Sequence, residues 1–215
     1  MLIHSASQLL TLAGGPQKGC KLGDLGLIAG GAIAFQGNEI TALGSTQEML
    51  AAYPDEERLD AANCVVMPGF VDPHTHVIWS GDRAAEFEMR LEGKTYLEIL
   101  AAGGGILSTV RSTRTATIDS LIKETRPRLQ SMLAHGTTTA EAKTGYGLET
   151  ETELRMLQAL IALDDEGPLE LVITFLGAHA IAPEYKDDPQ AYTDLVCEKM
   201  LPEVRQWWPD DRPLP

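Results

Sequence analysis

The chain has 215 residues, enough for one or two domains, and its 44% hydrophobic and 22% charged content excludes a disordered, collagen-like or coiled-coil polymer. With 17 Lys plus Arg against 31 Asp plus Glu, the formal charge is −14. That balance argues against nucleic acid or an anionic membrane as partner, because phosphate binding needs surplus cations. The longest apolar stretch, about Leu25 to Phe35, is broken by glycines and far short of the ~20 residues of a membrane span. Met1-Leu2-Ile3-His4 has no basic segment leading into an apolar core, so no signal peptide is expected. Cys20, Cys64 and Cys197 have no paired spacing and are expected to be free thiols of a reducing compartment, the cytoplasm by default.

Residues 1 to 66 read as short strands and turns. Gly31-Ala32-Ile33-Ala34-Phe35 and Ile40-Thr41-Ala42-Leu43-Gly44 flank a Gly37-Asn38 turn, which predicts a hairpin. Ser45-Thr46-Gln47-Glu48 fits a capping box opening a short helix to about Tyr53. From about Val65 the texture changes to alternating strand and helix. An apolar run from Val65 to Val71, interrupted by Pro68, ends at Asp72-Pro73-His74-Thr75-His76. Thr95-Tyr96-Leu97-Glu98 predicts a second capping box, and Gly103 to Gly105 end its helix. Ile118, Leu121, Ile122, Thr125, Leu129, Met132 and Leu133 recur at helical spacing. A β-branched strand is expected over Thr137 to Ala142, and Thr150 with Glu153 predicts a third capping box. Leu171 to Leu176 is the strongest strand signal, and a last helix is expected from Asp188 to about Trp207. Three strands alternating with helices predict a parallel sheet with helices outside it, an α/β fold. A complete eight-fold barrel takes about 250 residues, so the pattern suits part of one.

His74 and His76 are the sharpest chemical feature. Residues two apart on a strand point to one side, so both imidazoles can converge on a single ion. Their place at the end of a strand puts them where barrel enzymes build active sites. Hydrogen-bonded loop histidines are the plain alternative. Asp72 suits either an outer partner that orients His74 or a turn. Of the other histidines, His4 precedes the sheet and His135 suits a helix C-terminal cap, whereas His179 follows a strand and suits a substrate contact. Arg83 can grip a planar carboxylate or form a surface ion pair. Tyr146 lies between Gly145 and Gly147, which let its backbone approach a ligand closely; a turn tyrosine is the alternative. Lys143 is expected to pair with Glu141 on the same face. Gly103-Gly104-Gly105 lacks a phosphate-loop pattern.

The segment Pro68-Gly69-Phe70-Val71-Asp72-Pro73-His74-Thr75-His76 resembles the first-strand signature of the amidohydrolase superfamily. More narrowly, Gly81-Asp82-Arg83, Gly103 to Arg111, Lys143-Thr144-Gly145-Tyr146-Gly147-Leu148 and Thr174 to Ala180 resemble the imidazolonepropionase family, in unbroken order over about residues 25 to 205. The resemblance implies a partial (β/α)8 TIM-type barrel over residues 67–215, preceded over residues 1–66 by part of a small β-sandwich domain that C-terminal strands complete. It implies hydrolysis of the cyclic amide of 4-imidazolone-5-propionate, a small-molecule substrate, to N-formimidoyl-L-glutamate. His74 and His76 would bind one zinc or iron ion. Arg83, Tyr146 and His179 would hold the substrate, with His179 also catalytic. A cytosolic homodimer is implied for the full-length protein. The family's third metal histidine, its metal-binding aspartate and its catalytic glutamate fall in a second half outside this sequence, so this chain alone is expected to be inactive. Another cyclic amidohydrolase or a deaminase on the same barrel, and a non-catalytic fragment, are the competing expectations.

Overall fold

The computed structural model describes all 215 residues, and the chain divides into two compact units, Met1–Gly69 and Phe70–Pro215. In the first unit, β1 (Leu2–Leu10), β2 (Leu27–Gln36), β3 (Glu39–Ser45), α1 (Thr46–Ala52), β4 (Arg58–Asp60) and β5 (Val65–Val66) follow in order. The strands form one sheet ordered β3-β2-β1-β4, with β5 also pairing β1. The β2–β3 hairpin turns at Gly37-Asn38, where Gly37 takes φ +60°, a conformation that costs a residue without Cβ little. Ser45 and Glu48 close the expected capping box on α1, which seats Met49 against Leu2, Ala32 and Ala34. Ala6, Leu9, Ile33 and Ala61 form a second buried cluster.

The run Val65 to Val71 is not one strand. Val65 and Val66 pair with Gln8 and Leu9, whereas Phe70 begins a strand of the second unit. Pro68 lacks the N–H that would carry a single ladder through.

The second unit contains β6 (Phe70–Thr75), α2 (Ala84–Leu91), α3 (Tyr96–Ala101), α4 (Ile106–Thr115), α5 (Ile118–Ala134), β7 (Thr137–Lys143), α6 (Thr150–Glu166), β8 (Glu170–Thr174), α7 (Pro189–Leu195) and α8 (Leu201–Trp207). The three strands are parallel and ordered β6-β7-β8. Alternation on β7 sends Ala140 and Ala142 into a core with Leu121, Leu129, Met156, Leu157 and Leu160 of α5 and α6, and leaves Glu141 and Lys143 on the other face. Val71 and Val172 remain open to solvent on their strands. A five-residue π turn, Val196–Met200, joins α7 to α8, so the expected last helix is continuous but underwound where Pro202 withholds its N–H.

Two helices of this unit had no sequence signal. The N-cap of α4 is Gly105, which has no side chain to cap with, and its N–H is taken at 2.9 Å by the Glu86 carboxylate of α2. The start of α2 has no side-chain bond from its N-cap, Arg83; Asp82 instead accepts from the Ala84 N–H at 2.9 Å.

Candidate functional site

The carboxyl ends of the three parallel strands carry the chemistry, as strand polarity in α/β sheets leads one to expect. From the end of β6 come His74 and His76, with ring centroids 5.7 Å apart. The loop after β7 brings the Tyr146 ring to 5.5 Å from His76. The loop after β8 brings His179 to 4.3 Å from His76 and to an edge-to-face contact with Tyr146 at 5.7 Å. Three segments far apart in sequence therefore meet in one aromatic cluster. His4 belongs to the other unit. His135 ends α5, where its Nδ1 lies 2.7 Å from the Ser131 carbonyl oxygen, a helix-end role.

Electrostatics disfavour the charged forms of His76 and His179. Burial lowers the His76 pKa, reinforced by the charges of His179 and His74, and burial followed by His74 lowers that of His179. His76 Nδ1 is buried with no hydrogen-bond partner. An orphaned nitrogen on a neutral ring, beside a second imidazole two residues away, suits part of a metal ion's shell. It is only part: no group of three or more His, Cys, Asp or Glu side chains is disposed to hold an ion. Asp72 accepts from the His74 backbone N–H at 3.2 Å, which makes it a turn residue here rather than a partner of the His74 ring.

Arg83 pairs with Glu86 one helical turn on, and that hydrogen bond raises the arginine pKa. The ion pair foreseen as the alternative to carboxylate binding is therefore formed, on a guanidinium that stays 41% exposed. Arg83 nevertheless lines a cavity of about 430 Å³ with Trp79, Asp82, Thr109, Arg128 and Tyr146. Lys143 pairs with Glu141 as expected, and Glu141 also accepts from the Thr174 hydroxyl at 2.9 Å.

Three residues to which the sequence reading gave no part in the site hold its loops. Arg128 of α5 donates Nη1 to the carbonyls of Val77 at 3.1 Å and Trp79 at 2.9 Å, with its guanidinium 3.4 Å from the Trp79 ring centroid. Glu124, one turn earlier, accepts from the Ser80 hydroxyl at 3.0 Å and the Gly81 N–H at 3.1 Å. The third is Glu153. The expected capping box at Thr150 does not form: the N-cap of α6 is Glu149, and the Glu153 carboxylate is turned into the loop Gly145–Leu148. Leu148 is held there at φ +52°, a left-handed conformation costing a branched residue about 1–2 kcal/mol. An acidic residue three positions into a helix, after a Gly-Tyr-Gly loop, was the only available signal, and it is shared with ordinary caps.

The chain is 50% identical over 207 residues to the imidazolonepropionase of Herpetosiphon aurantiacus, covering 96% of this chain and 48% of that protein. It is 50% identical over 210 residues to that of Chloroflexus aggregans, covering 97% and 49%. The chain thus spans about half the length of the curated relatives it matches. Among solved structures, Helicobacter pylori aminofutalosine deaminase superposes with TM-score 0.55 at 17% identity, covering 97% of this chain and 41% of that one. A variant of the Arthrobacter aurescens atrazine chlorohydrolase TrzN, complexed with zinc and atraton, gives TM-score 0.50 at 16% identity over 80% of this chain and 35% of its own. At such identities the likeness is one of fold. Residues 57–200, about two thirds of the sequence, match the amidohydrolase family model, and the chain belongs to the amidohydrolase family.

Proposed function

We propose that this chain is the N-terminal part of a metal-dependent hydrolase that opens the cyclic amide of 4-imidazolone-5-propionate to give N-formimidoyl-L-glutamate. The observation that carries the reading is 50% identity to an imidazolonepropionase along 96% of the chain. In this reading residues 67–215 are the first part of a (β/α)8 barrel and residues 1–66 part of a small β-sandwich domain. The solvent-open Val71 and Val172 support it, since parallel sheets are ordinarily covered on both faces. The full-length protein would be a cytosolic homodimer.

His74 and His76 would hold one divalent or trivalent ion, zinc or iron, and the buried, unpartnered Nδ1 of His76 supports that role. Once bound, the ion would lower the pKa of a water molecule and polarise the ring carbonyl. Arg83 presents a planar fork to the propionate carboxylate. Tyr146 offers a hydroxyl and an aromatic edge beside the ring. Its pKa is raised by burial, so the phenol stays protonated and can donate a hydrogen bond. His179, its ring 4.3 Å from that of His76 and its pKa lowered by burial, can donate or accept a proton at the reacting ring. With two metal ligands and without the glutamate that the family resemblance makes catalytic, the chain would be inactive by itself.

The chain, loaded with zinc or iron, would be assayed alone and after co-expression with the C-terminal half of the Herpetosiphon relative. Loss of 4-imidazolone-5-propionate absorbance is followed against its spontaneous decay. Turnover is expected only in the reassembled protein, and Arg83→Ala should raise KM roughly tenfold or more with metal content unchanged. Turnover by the chain alone would refute the half-site model. Activity on a hydantoin or an aminopurine instead of the imidazolone would reassign the substrate.

A further inference from the structure

We propose that Glu153 is a positioning residue whose carboxylate fixes Tyr146 against His76 and His179, and its part in catalysis rests on the substrate site proposed above. Glu153 is fully buried on the first turn of α6. One oxygen accepts the Gly147 and Leu148 N–H groups, each at 2.8 Å, and the other accepts the Gly145 N–H at 3.1 Å. The carboxylate therefore grips the backbone on both sides of Tyr146 and leaves the phenol free to point outward. The Thr144 side chain also lies beside it and favours its ionised form, and the Thr144 hydroxyl oxygen accepts the Leu176 N–H at 2.9 Å. Leu176 in turn accepts the His179 N–H at 3.0 Å. One side chain thus ties the loop carrying Tyr146 to the loop carrying His179.

The opposite side of the loop is held as well. Arg114 of α4 donates to the Gly147 carbonyl at 2.7 Å and the Leu148 carbonyl at 3.2 Å. The approach is close enough to exclude a side chain at Gly147: a Cβ there would lie 2.9 Å from Glu153 Oε1 and 2.8 Å from its backbone nitrogen. A helix cap would need none of this. The Glu153 side chain makes no bond to the N-cap residue, and every N–H it accepts lies in the preceding loop. A carboxylate suits the task because it accepts through both oxygens, whereas a glutamine amide presents one oxygen and two hydrogens to the same donors.

Amide exchange and nuclear Overhauser contacts in the 15N-labelled 215-residue chain test the proposal without needing turnover. In the wild type, Gly147 and Leu148 amides should exchange on the order of 100-fold more slowly than that of exposed Asp187, after correction for intrinsic rates. In Glu153→Gln that protection should be lost together with the contact between the Tyr146 and His179 rings, while Leu157 and Leu160 of the α6 core stay protected. Exchange of Gly147 and Leu148 as fast as Asp187 in the wild type would overturn the proposal even if the variant fails to fold. A folded Glu153→Gln chain that keeps both the protection and the ring contact would overturn it too. Titration with imidazole-4-propionate judges the substrate reading separately: absence of any shift at Arg83, Tyr146 and His179 in the wild type counts against that reading and leaves Glu153 to be decided by exchange.

Discussion

Two loops of the second unit hold site residues by opposite means. The loop after β6, Val77 to Gly81, is gripped from outside by Glu124 and Arg128, an i, i+4 pair on α5 whose side chains are 37% and 23% exposed. The loop after β7, Gly145 to Leu148, closes around the fully buried Glu153 a few residues away in sequence. The first grip uses a stacked cation and water-accessible groups, so each single contact is modest. The second leaves no solvent to substitute for a lost partner, so its failure is costly. A loop held from the surface tolerates change; a loop wrapped round a buried carboxyl group does not.

The sharpest break in that contrast is a methyl group at Gly145. Its φ is +108°, and a Cβ would lie 2.6 Å from His179 Cβ and 2.9 Å from the Leu176 carbonyl oxygen. Gly145→Ala should lower stability by about 3 kcal/mol in urea denaturation and displace His179; a loss below about 1 kcal/mol would mean the inner loop yields as easily as the outer one. Next in size is Arg128→Ala, which removes two carbonyl bonds and the contact with Trp79, at about 2 kcal/mol. Arg128→Lys should recover less than half of it, because an ammonium cannot stack and bridge both carbonyls together. Full recovery would show that charge alone holds the outer loop.

The smallest effect is set by pH. Arg83 donates a hydrogen bond that holds the Glu86 carboxyl below its ordinary 4.5, with the Gly105 N–H adding to it against the cost of burial. A depressed carboxyl pKa stabilises the fold above pH 4.5 and loses that contribution as pH falls through the folded-state value. Glu86→Gln should therefore flatten the fall in stability between about pH 5 and pH 3. With Arg83 41% exposed, solvent screening keeps the difference within about 1 kcal/mol. An unchanged acid limb would remove Glu86 as the link between α2 and the start of α4.

Much of the local structure was legible because local chemistry decided it. Ser45 with Glu48 and Thr95 with Glu98 make both halves of a capping box, and the spacing from Ile118 to Leu133 sets the face that α5 buries. Thr150 with Glu153 carries the same signature and behaves differently. Three loop N–H groups, adjacent only once the chain has folded, take the carboxylate that a local cap would have used. Likewise α4 begins at a glycine whose N–H is met by Glu86 from another helix, a partnership no window of sequence contains. At the candidate site, His74, His76, Arg83, Tyr146 and His179 were each readable by type and place. The 4.3 Å approach of His76 to His179 was not, because it depends on the order of strands in the sheet.

The stacked Arg128 gives the molecule a built-in optical reporter. Of three tryptophans, Trp207 and Trp208 sit next to each other near the C-terminus, while Trp79 alone faces the cavity shared with Arg83 and Tyr146. An anion entering that cavity changes the electric field across the indole beneath the guanidinium, and emission from Trp79 should shift against a constant background from the other two. Ligand binding can thus be followed by intrinsic fluorescence, with no label and no catalytic turnover.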